Sequence, residues 1–267
     1  MSRIFTPPKA FLLDLDGTLY VGPKMMEDTP RFLATLRKRE IPHIFLTNNS
    51  SQSAREYYEK LTARGIELSE EQVLTSGDSA IRYLKKATDF ERVYLVGTPS
   101  LEQDFERAGF ILDEENPQCV MLGFDTGITY RKMEIAARHL YAGLPYFATQ
   151  PDITCITERG LTPDVGVFIA GLKVMTGREP EILGKPSIVM VEAAMERMGL
   201  TSLDGVAMVG DQLDTDITMG VVNGLISILM LYGETSLEQA GKFHLSPTYI
   251  FDHIGKLLEK ILEGSSH

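Results

Sequence analysis

The chain has 267 residues, of which 37 are Asp or Glu and 26 are Lys or Arg, so its formal net charge at pH 7 is −11. This length suffices for one large domain or two smaller ones, and 43% hydrophobic with 24% charged residues is typical of a folded protein, which excludes a disordered chain. The acidic balance excludes nonspecific binding to nucleic acid and to anionic lipid surfaces, because an excess of negative charge repels phosphate groups.

The first predicted element is a strand at residues 10–15, a continuous apolar run that ends in acidic residues. Such a run is typical of a strand buried on both faces of a sheet. Asp28 and Pro30 then provide the cap and the first-turn proline of a helix. A second strand at residues 41–46 completes a strand–helix–strand unit, which favours a parallel sheet.

The same alternation continues along the rest of the chain. Helices are predicted at residues 53–64, 130–141, 166–175 and 188–198, and strands at residues 92–97, 118–123, 205–209 and 225–231. Alternating strands and helices predict an α/β fold. Because no linker divides the sequence, we expect any second domain to be inserted into the first and not appended to it.

The two cysteines, Cys119 and Cys155, are far apart and have no Cys-x-x-Cys partner. Neither a disulfide framework nor a thiolate zinc site is therefore indicated, and a reducing compartment fits. The apolar stretch near the N-terminus is too short for a signal peptide, and the longest nearly apolar run, residues 220–231, is shorter than the roughly 20 residues of a membrane helix. We expect a soluble, cytoplasmic protein.

Acidic residues follow the first strand. Asp14 and Asp16 are two positions apart, and the period of two in a strand directs both side chains to the same side. Gly17 comes next, which allows a sharp turn and lets a bound anion approach the backbone. Taken alone, this motif is also compatible with an acidic turn that has no function.

Two further segments carry groups that suit a phosphate. Residues 47–50, Thr-Asn-Asn-Ser, follow the second strand and place hydroxyl, amide and backbone N–H groups at a strand-to-helix turn. Lys185 lies in a Gly-Lys-Pro turn, where its ammonium group can neutralise a phosphate oxygen. An ordinary helix cap and an ordinary surface lysine are the alternatives at these two places.

Another apolar strand, at residues 205–209, is followed by Asp211, Asp214 and Asp216. Carboxylates this close together are costly unless a cation or a lysine compensates them, although Asp214 can simply be solvated. In open α/β sheets, ligands bind outside the carboxyl ends of the strands, where these acids and Asp14 are expected. Hard oxygen ligands with phosphate donors nearby are what Mg²⁺ prefers.

The motifs described above, in their order along the chain, resemble the four signature motifs of the haloacid dehalogenase-like (HAD) hydrolase superfamily. The positions that carry the resemblance are Asp14-Leu15-Asp16-Gly17-Thr18, Thr47-Asn48, Lys185, and Gly210-Asp211 through Thr215-Asp216. The chain is most similar to the NagD-like phosphatases, class IIA, because residues 46–50, 176–180, 184–187 and 210–217 also resemble that branch. The resemblance spans nearly the whole sequence.

The resemblance implies a fold and a division into domains. The fold is a Rossmann-like, doubly wound parallel-sheet core with an inserted α/β cap domain. We expect the core to comprise residues 1–78 and 184–267 and the cap to comprise residues 79–183, with a mobile hinge between them.

The resemblance also implies a Mg²⁺-dependent phosphatase that works through an aspartyl-phosphate. Asp14 would be the nucleophile, and Asp16 would be the general acid and base. Mg²⁺ would be held by the side chains of Asp14 and Asp211 and by the backbone carbonyl of Asp16.

The remaining positions are assigned to the phosphoryl group by the same resemblance. Thr47, the backbone at Asn48 and Lys185 would bind the oxygens of the transferred phosphoryl group. Asp216 would orient Lys185 or the water molecules on the metal ion.

The substrate is expected to be a small phosphomonoester, such as a sugar phosphate, a nucleotide monophosphate, glycerol phosphate, phosphoglycolate or 4-nitrophenyl phosphate. The sequence departs from the branch at Gln150, where Asn is expected, and at Asp164, where Gly is expected. These two departures in the cap leave the ester unassigned. Small phosphorylated metabolites are the expected partners, nucleic acid and membranes are not, and homo-oligomerisation is left open.

Three alternatives keep some of the same chemistry. A phosphotransferase on the same fold differs only in the acceptor of the phosphoryl group. A signalling domain that accumulates an aspartyl-phosphate is disfavoured by the chain length and by Asp16, which supplies the acid that fast turnover requires. A non-catalytic binding protein is disfavoured because every position of the four motifs is intact.

Overall fold

The computed structural model describes residues 4–22, 24–157, 160–233 and 235–264. The strands are β1 (Ala10–Asp14), β2 (Tyr20–Val21), β3 (Lys24–Met25), β4 (His43–Thr47), β5 (Val73–Thr75), β6 (Arg92–Val96), β7 (Ile111–Leu112), β8 (Cys119–Leu122), β9 (Tyr146–Ala148), β10 (Thr154–Thr157), β11 (Gly160–Pro163), β12 (Glu181–Ile182), β13 (Val206–Gly210), β14 (Ile226–Met230) and β15 (Tyr249–Phe251). The α-helices are α1 (Thr29–Lys38), α2 (Ala54–Ala63), α3 (Ser76–Ala87), α4 (Pro99–Arg107), α5 (Tyr130–Tyr141), α6 (Val165–Thr176), α7 (Ile188–Arg197), α8 (Thr218–Val222), α9 (Leu237–Lys242) and α10 (Ile254–Glu263). A 3-10 turn at Glu70–Gln72 and a π-helical turn at Leu213–Ile217 complete the elements.

The chain forms two compact units, and the first comprises residues 1–47, 58–74 and 194–267. It contains a six-stranded sheet in the order β15-β14-β13-β1-β4-β5. Strand β1 pairs in parallel with β13 on one side and with β4 on the other, and β13, β14 and β15 continue the parallel pairing. This order confirms the predicted Rossmann-like, doubly wound α/β fold, and the direction of winding reverses between β1 and β13.

Strand β1 lies at the centre of this sheet because its sequence is apolar on both faces. Phe11, Leu12 and Leu13 have no exposed surface, as expected for a parallel strand covered on both sides. The register places Asp14 opposite Leu46 of β4, so the polar residues that end both strands reach the same edge of the sheet. The pairing therefore brings Asp14 and Thr47 to the same edge of this sheet.

The second unit comprises residues 48–57 and 75–193. Its five-stranded sheet has the order β12-β9-β8-β6-β7, with parallel pairing, and an antiparallel hairpin joins β10 to β11. One apolar cluster includes residues of α5 and α6, and a second includes residues of α3 and α4. The second unit is thus an α/β unit with its own core, and the expected domain limits at residues 78/79 and 183/184 stay a prediction.

A helix that crosses a membrane has to be both long and apolar. Within residues 4–22, 24–157, 160–233 and 235–264, no helix combines the length and the apolar character that crossing a lipid bilayer requires.

The first prediction tests the buried strand of the first unit. Replacing Leu13, which has no exposed surface, with Ala removes a buried side chain and leaves a cavity, so the free energy of unfolding should fall by about 2–5 kcal/mol. The measurement is urea unfolding followed by circular dichroism. Leu262→Ala is the matched control, because Leu262 is 41% exposed in α10 and its truncation should cost less than about 1 kcal/mol. Equal losses in the two variants would contradict the central position of β1.

Candidate active site

Three carboxylates meet at the carboxyl ends of β1 and β13. Asp14 is the last residue of β1, Asp211 follows β13 directly, and Asp216 lies in the π-helical turn Leu213–Ile217. One carboxylate oxygen of each residue lies within 4.8 Å of the other two, and all three residues are buried. The point where the winding of the sheet reverses therefore holds a compact group of acidic side chains, where open α/β sheets bind ligands.

Glycines at three positions leave room for these carboxylates. Gly17 has a φ of +88°, and a Cβ atom there would lie 2.3 Å from Oδ2 of Asp211. A Cβ at Gly233 would lie 1.9 Å from the same oxygen, and one at Gly210 would lie 2.2 Å from the carboxylate of Asp216. Because no side chain fits at these positions, the backbone approaches the acids closely from three directions.

Hydrogen bonds fix the orientation of the carboxylates. The Thr18 hydroxyl donates to Oδ2 of Asp14 at 3.1 Å and lies 3.5 Å from Oδ1 of Asp211. The backbone N–H of Gln212 donates to Oδ2 of Asp216 at 3.1 Å. Buried carboxylates this close repel one another unless a cation compensates them, and hard divalent cations prefer oxygen ligands. The donor set and the space kept by the glycines therefore fit an ion such as Mg²⁺.

Asp16 has a different environment from Asp14. Strand β1 ends at Asp14, so the alternation of side chains in a strand does not extend to Asp16. Asp16 is exposed, and its carboxylate accepts a hydrogen bond from the buried Tyr20 hydroxyl at 3.1 Å. The Arg64 guanidinium lies 4.2 Å from the centre of the Tyr20 ring. An exposed carboxylate held by a hydroxyl donor is suited to exchanging a proton with a bound molecule or with water.

Thr47 also belongs to the first unit. It is the last residue of β4 and is buried. The register of β4 against β1 pairs Leu46 with Asp14, so Thr47 follows directly after the residue paired with Asp14. The strand pairing therefore brings the hydroxyl-bearing residue to the carboxyl edge that also carries the acids.

Asn48 and Lys185 belong to the second unit and contact each other. Oδ1 of Asn48 accepts the backbone N–H of Lys185 at 2.8 Å, and its Nδ2 donates to the Lys185 carbonyl at 3.1 Å. A Cβ at Gly184 would lie 2.8 Å from Oδ1 of Asn48, so this contact requires a glycine before the lysine. Lys185 is 3% exposed. One side-chain amide thus holds both backbone polar groups of the lysine.

A polar network continues from Asn48 into the loop after β9. Nδ2 of Asn48 donates to Oδ2 of Asp152 at 2.9 Å. Nε2 of Gln150 donates to Oδ1 of Asp164 at 2.9 Å. The Ser76 hydroxyl lies within hydrogen-bonding distance of both the Asn48 carbonyl and Oε1 of Gln150. Gln150 and Asp164, where the resemblance led us to expect Asn and Gly, are therefore bonded to each other.

Asp164 is a buried carboxyl group with an altered pKa. The pKa of Asp164 is raised from 3.8 to about 7, mainly by burial and also by the nearby charge of Asp152, while hydrogen bonds from the Val165 N–H and the Gln150 side chain act in the opposite direction. Asp164 therefore changes its charge near neutral pH.

The structure brings some of the predicted site residues together in each unit. Asp14, Asp211 and Asp216 form the acidic cluster of the first unit, while Asn48 and Lys185 form the amide–lysine contact of the second. Sequence reasoning gave no role to the residues that orient these groups, which are Thr18, Tyr20, Ser76, Asp152 and Gly233. Thr18 and Tyr20 follow the acidic motif closely in the sequence, so their proximity to the acids was predictable. Gly233 is far from Asp211 in the sequence and approaches it only in the folded chain.

Comparison with known proteins identifies relatives along most of the chain. A family model described as haloacid dehalogenase-like hydrolase matches residues 11–111, and a HAD-hydrolase-like model matches residues 182–257. An acid sugar phosphatase from Staphylococcus aureus is 33% identical over 254 residues, which cover 95% of this chain and 98% of that protein.

Solved structures with the same architecture also match nearly the whole chain. The 4-nitrophenylphosphatase from Thermotoga maritima superposes with a TM-score of 0.91 and 38% identity, covering 95% of this chain and 97% of that one. NagD from E. coli K-12 has a TM-score of 0.87 and 28% identity, covering 94% of this chain and 98% of that one. The similarity therefore includes both compact units.

The second prediction concerns the stability of the fold as a function of pH. Because the pKa of Asp164 is raised in the folded state, the folded chain binds more protons than the unfolded chain between pH 3.8 and about 7. The stability that the neutral carboxyl group contributes is therefore lost as the pH rises towards 7. Asp164→Asn does not titrate, so its free energy of unfolding relative to the wild type should increase with pH by at most about 1.4 kcal/mol per unit.

The measurement is urea unfolding of both proteins at pH values from 5 to 8. The exposed Asn116 lies in the same unit, and Asn116→Gln, in which neither side chain titrates, should show a constant difference from the wild type. A constant difference for Asp164→Asn as well would show that this carboxyl group is not buried in the folded protein.

Proposed function

The chain belongs to the haloacid dehalogenase-like hydrolase family, as a phosphoric monoester hydrolase of the NagD-like branch, and on this basis we propose that it hydrolyses small phosphomonoesters with Mg²⁺ through an aspartyl-phosphate. The observation that carries the proposal is the buried cluster of Asp14, Asp211 and Asp216 where the winding of the sheet reverses. A cation would compensate the charge of such a cluster, and Asp14 would then be a nucleophilic carboxylate beside it.

The ion would be held by the side chains of Asp14 and Asp211 and by the backbone carbonyl of Asp16. When bound, it supplies the positive charge that lets a phosphate ester approach a carboxylate. Asp216, whose carboxylate already accepts the Gln212 N–H, would orient the water molecules on the ion or the ammonium group of Lys185.

The chain's own residues would perform two displacements at phosphorus. In the first, a carboxylate oxygen of Asp14 bonds to phosphorus as the ester oxygen leaves with a proton from Asp16. In the second, Asp16 takes a proton from a water molecule, which attacks the same phosphorus and releases phosphate and free Asp14. The Thr18 hydroxyl orients Asp14 through its Oδ2 atom, which reduces the cost of aligning the nucleophile.

The phosphoryl oxygens would be bound by Thr47, the backbone N–H of Asn48 and the ammonium group of Lys185. The side-chain amide of Asn48 is engaged with the Lys185 backbone, which supports a role for the backbone of Asn48, and not its side chain, in phosphate binding. Holding Lys185 in place before the substrate arrives is the kind of pre-organisation that makes charge stabilisation effective.

The substrate class follows from the relatives, which are named for sugar phosphates and 4-nitrophenyl phosphate. We propose a small phosphorylated metabolite as the substrate in the cytoplasm, and residues 79–183 as a cap domain inserted into a core of residues 1–78 and 184–267. The ester is identified by measuring kcat/KM over a panel of sugar, nucleotide, glycerol, glycolate and aryl phosphates.

The third prediction tests the nucleophile and the metal ion. The purified protein should release phosphate from 4-nitrophenyl phosphate when Mg²⁺ is present, and excess EDTA should abolish this activity until Mg²⁺ is added back. Asp14→Asn should reduce kcat by at least about 1,000-fold, because a neutral amide cannot form the aspartyl-phosphate. Asp214→Asn is the matched control, because Asp214 is exposed in the same loop as the other acids. Undiminished turnover in the Asp14→Asn protein, or in EDTA, would refute the mechanism.

The fourth prediction separates the role of Asp16 from that of Asp14. The 4-nitrophenolate group leaves readily without a proton, whereas the alkoxide of glycerol phosphate requires one. Asp16→Asn should therefore lower kcat/KM for glycerol phosphate at least about ten-fold more than for 4-nitrophenyl phosphate. The measurement is kcat/KM for both esters in the wild type and the variant. Equal losses for the two esters would show that Asp16 does not protonate the leaving group.

A further inference from the structure

Gln150 and Asp164, where the resemblance led us to expect Asn and Gly, form a buried pair. Nε2 of Gln150 donates to Oδ1 of Asp164 at 2.9 Å, and the two residues are 1% and 3% exposed. Asn at position 150 would be shorter by one methylene group, and Gly at position 164 would offer no acceptor. The bond therefore depends on both departures together.

The pair anchors the loop after β9 to the first turn of α6. Oδ1 of Asp164 also accepts the Val165 N–H at 2.6 Å, and the Gly166 N–H donates to the Asp152 carbonyl at 2.7 Å. A Cβ at Gly166 would lie 2.4 Å from the Pro151 carbonyl oxygen, so the loop backbone lies directly against the helix. The Asp164 N–H also donates to the Ile153 carbonyl at 2.9 Å, so side-chain and backbone bonds together hold the loop to the helix.

The same loop fixes the side-chain amide of Asn48. The Asp152 carboxylate only accepts hydrogen bonds when ionised, so its contact at 2.9 Å places the NH₂ group of Asn48 on that side. This orientation directs Oδ1 of Asn48 to the Lys185 N–H and the second amide proton to the Lys185 carbonyl. The Ser76 hydroxyl adds a second connection, because it contacts both Gln150 and the Asn48 carbonyl.

We propose that Gln150 and Asp164 are positioning residues that act together, through Asp152 and Asn48, to hold Lys185 in the conformation that binds phosphate. Neither residue is assigned a contact with the ester. The proposal rests on the proposed function in one respect, which is that Lys185 binds the phosphoryl group.

The physical signature of such a pair is that its two members are not independent. Removing one partner of a buried hydrogen bond leaves the other unsatisfied, which costs more than removing both. Gln150→Asn would leave Asp164 without its side-chain donor, and Asp164→Gly would leave Nε2 of Gln150 without its acceptor. The double variant removes both groups at once, so its effect should be smaller than that of either single variant.

The experiment is a double-mutant cycle in the full-length enzyme, with 4-nitrophenyl phosphate as substrate and inorganic phosphate as competitive inhibitor. Each single variant should raise KM and the phosphate Ki about five-fold with a smaller change in kcat, because the binding of phosphate is weakened in ground and transition states alike. The double variant should return to within about two-fold of the wild type.

Two further variants separate positioning from a general loss of structure. Asp164→Asn keeps the Oδ1 acceptor, so KM and Ki should stay within about two-fold of the wild type. Lys173 lies on the same helix and bonds to the exposed Glu179, and Lys173→Ala should leave both constants unchanged. Thermal unfolding of every variant shows whether a change in Ki accompanies a loss of fold.

The outcomes distinguish this proposal from the function on which it rests. If the single variants lower the unfolding temperature but keep the wild-type KM and Ki, or if their effects multiply in the double variant, the positioning role is refuted. If Lys185→Ala leaves the phosphate Ki unchanged, the proposed phosphate site itself is refuted. If Lys185→Ala raises Ki and the cycle is non-additive, the proposal is supported.

Discussion

The first unit has to offset the electrostatic repulsion among Asp14, Asp211 and Asp216. One carboxylate oxygen of each residue lies within 4.8 Å of the other two, and all three residues are buried. Carboxylates in this arrangement are costly unless the surroundings compensate them. Parallel pairing of β1 with β13 fixes the two strand ends that carry Asp14 and Asp211, so these two acids cannot move apart without disrupting the centre of the sheet. Glycines admit the backbone to the cluster, and the Thr18 hydroxyl bonds to it. The glycines and Thr18 around the cluster are therefore explained by the need to hold these charges together.

This arrangement changes the meaning of the net charge of −11. A uniformly distributed negative charge would repel an anionic ester at every point of the surface. A cation held among these carboxylates would offset most of their charge locally, so a site that binds phosphate can exist on an acidic protein. The excess of acidic residues remains an argument against nucleic acid as a partner, but it carries no information about small phosphorylated molecules.

Much of this organisation was predictable from local sequence. The apolar runs of β1, β4 and β13 identified the central strands, and the rule that ligands bind at the carboxyl ends of parallel strands brought Asp14 and Asp211 together. The environment of Asp16 was not predictable, because alternation holds only while the strand continues and β1 ends at Asp14. Helices α3 and α10 were missed although both show sequence signals, a capping box and a strong apolar stripe. Contacts such as Gly233 with Asp211 depend on the tertiary fold alone.

The pair formed by Gln150 and Asp164 shows why two departures from a family pattern have to be interpreted together. A buried Gln150 alone would leave an amide donor without a partner, and a buried Asp164 alone would rely on the helical N–H of Val165 to offset its desolvation. Each residue therefore gives the other a hydrogen-bond partner in a buried position. The loop that they hold contacts, through Asp152, the Asn48 amide that binds the Lys185 backbone. A relative with Asn and Gly at these positions must hold that loop by other contacts. The substrate of such a relative therefore does not identify the substrate of this chain, because the loop is held differently, whereas the acidic cluster of Asp14, Asp211 and Asp216 lies in the other unit.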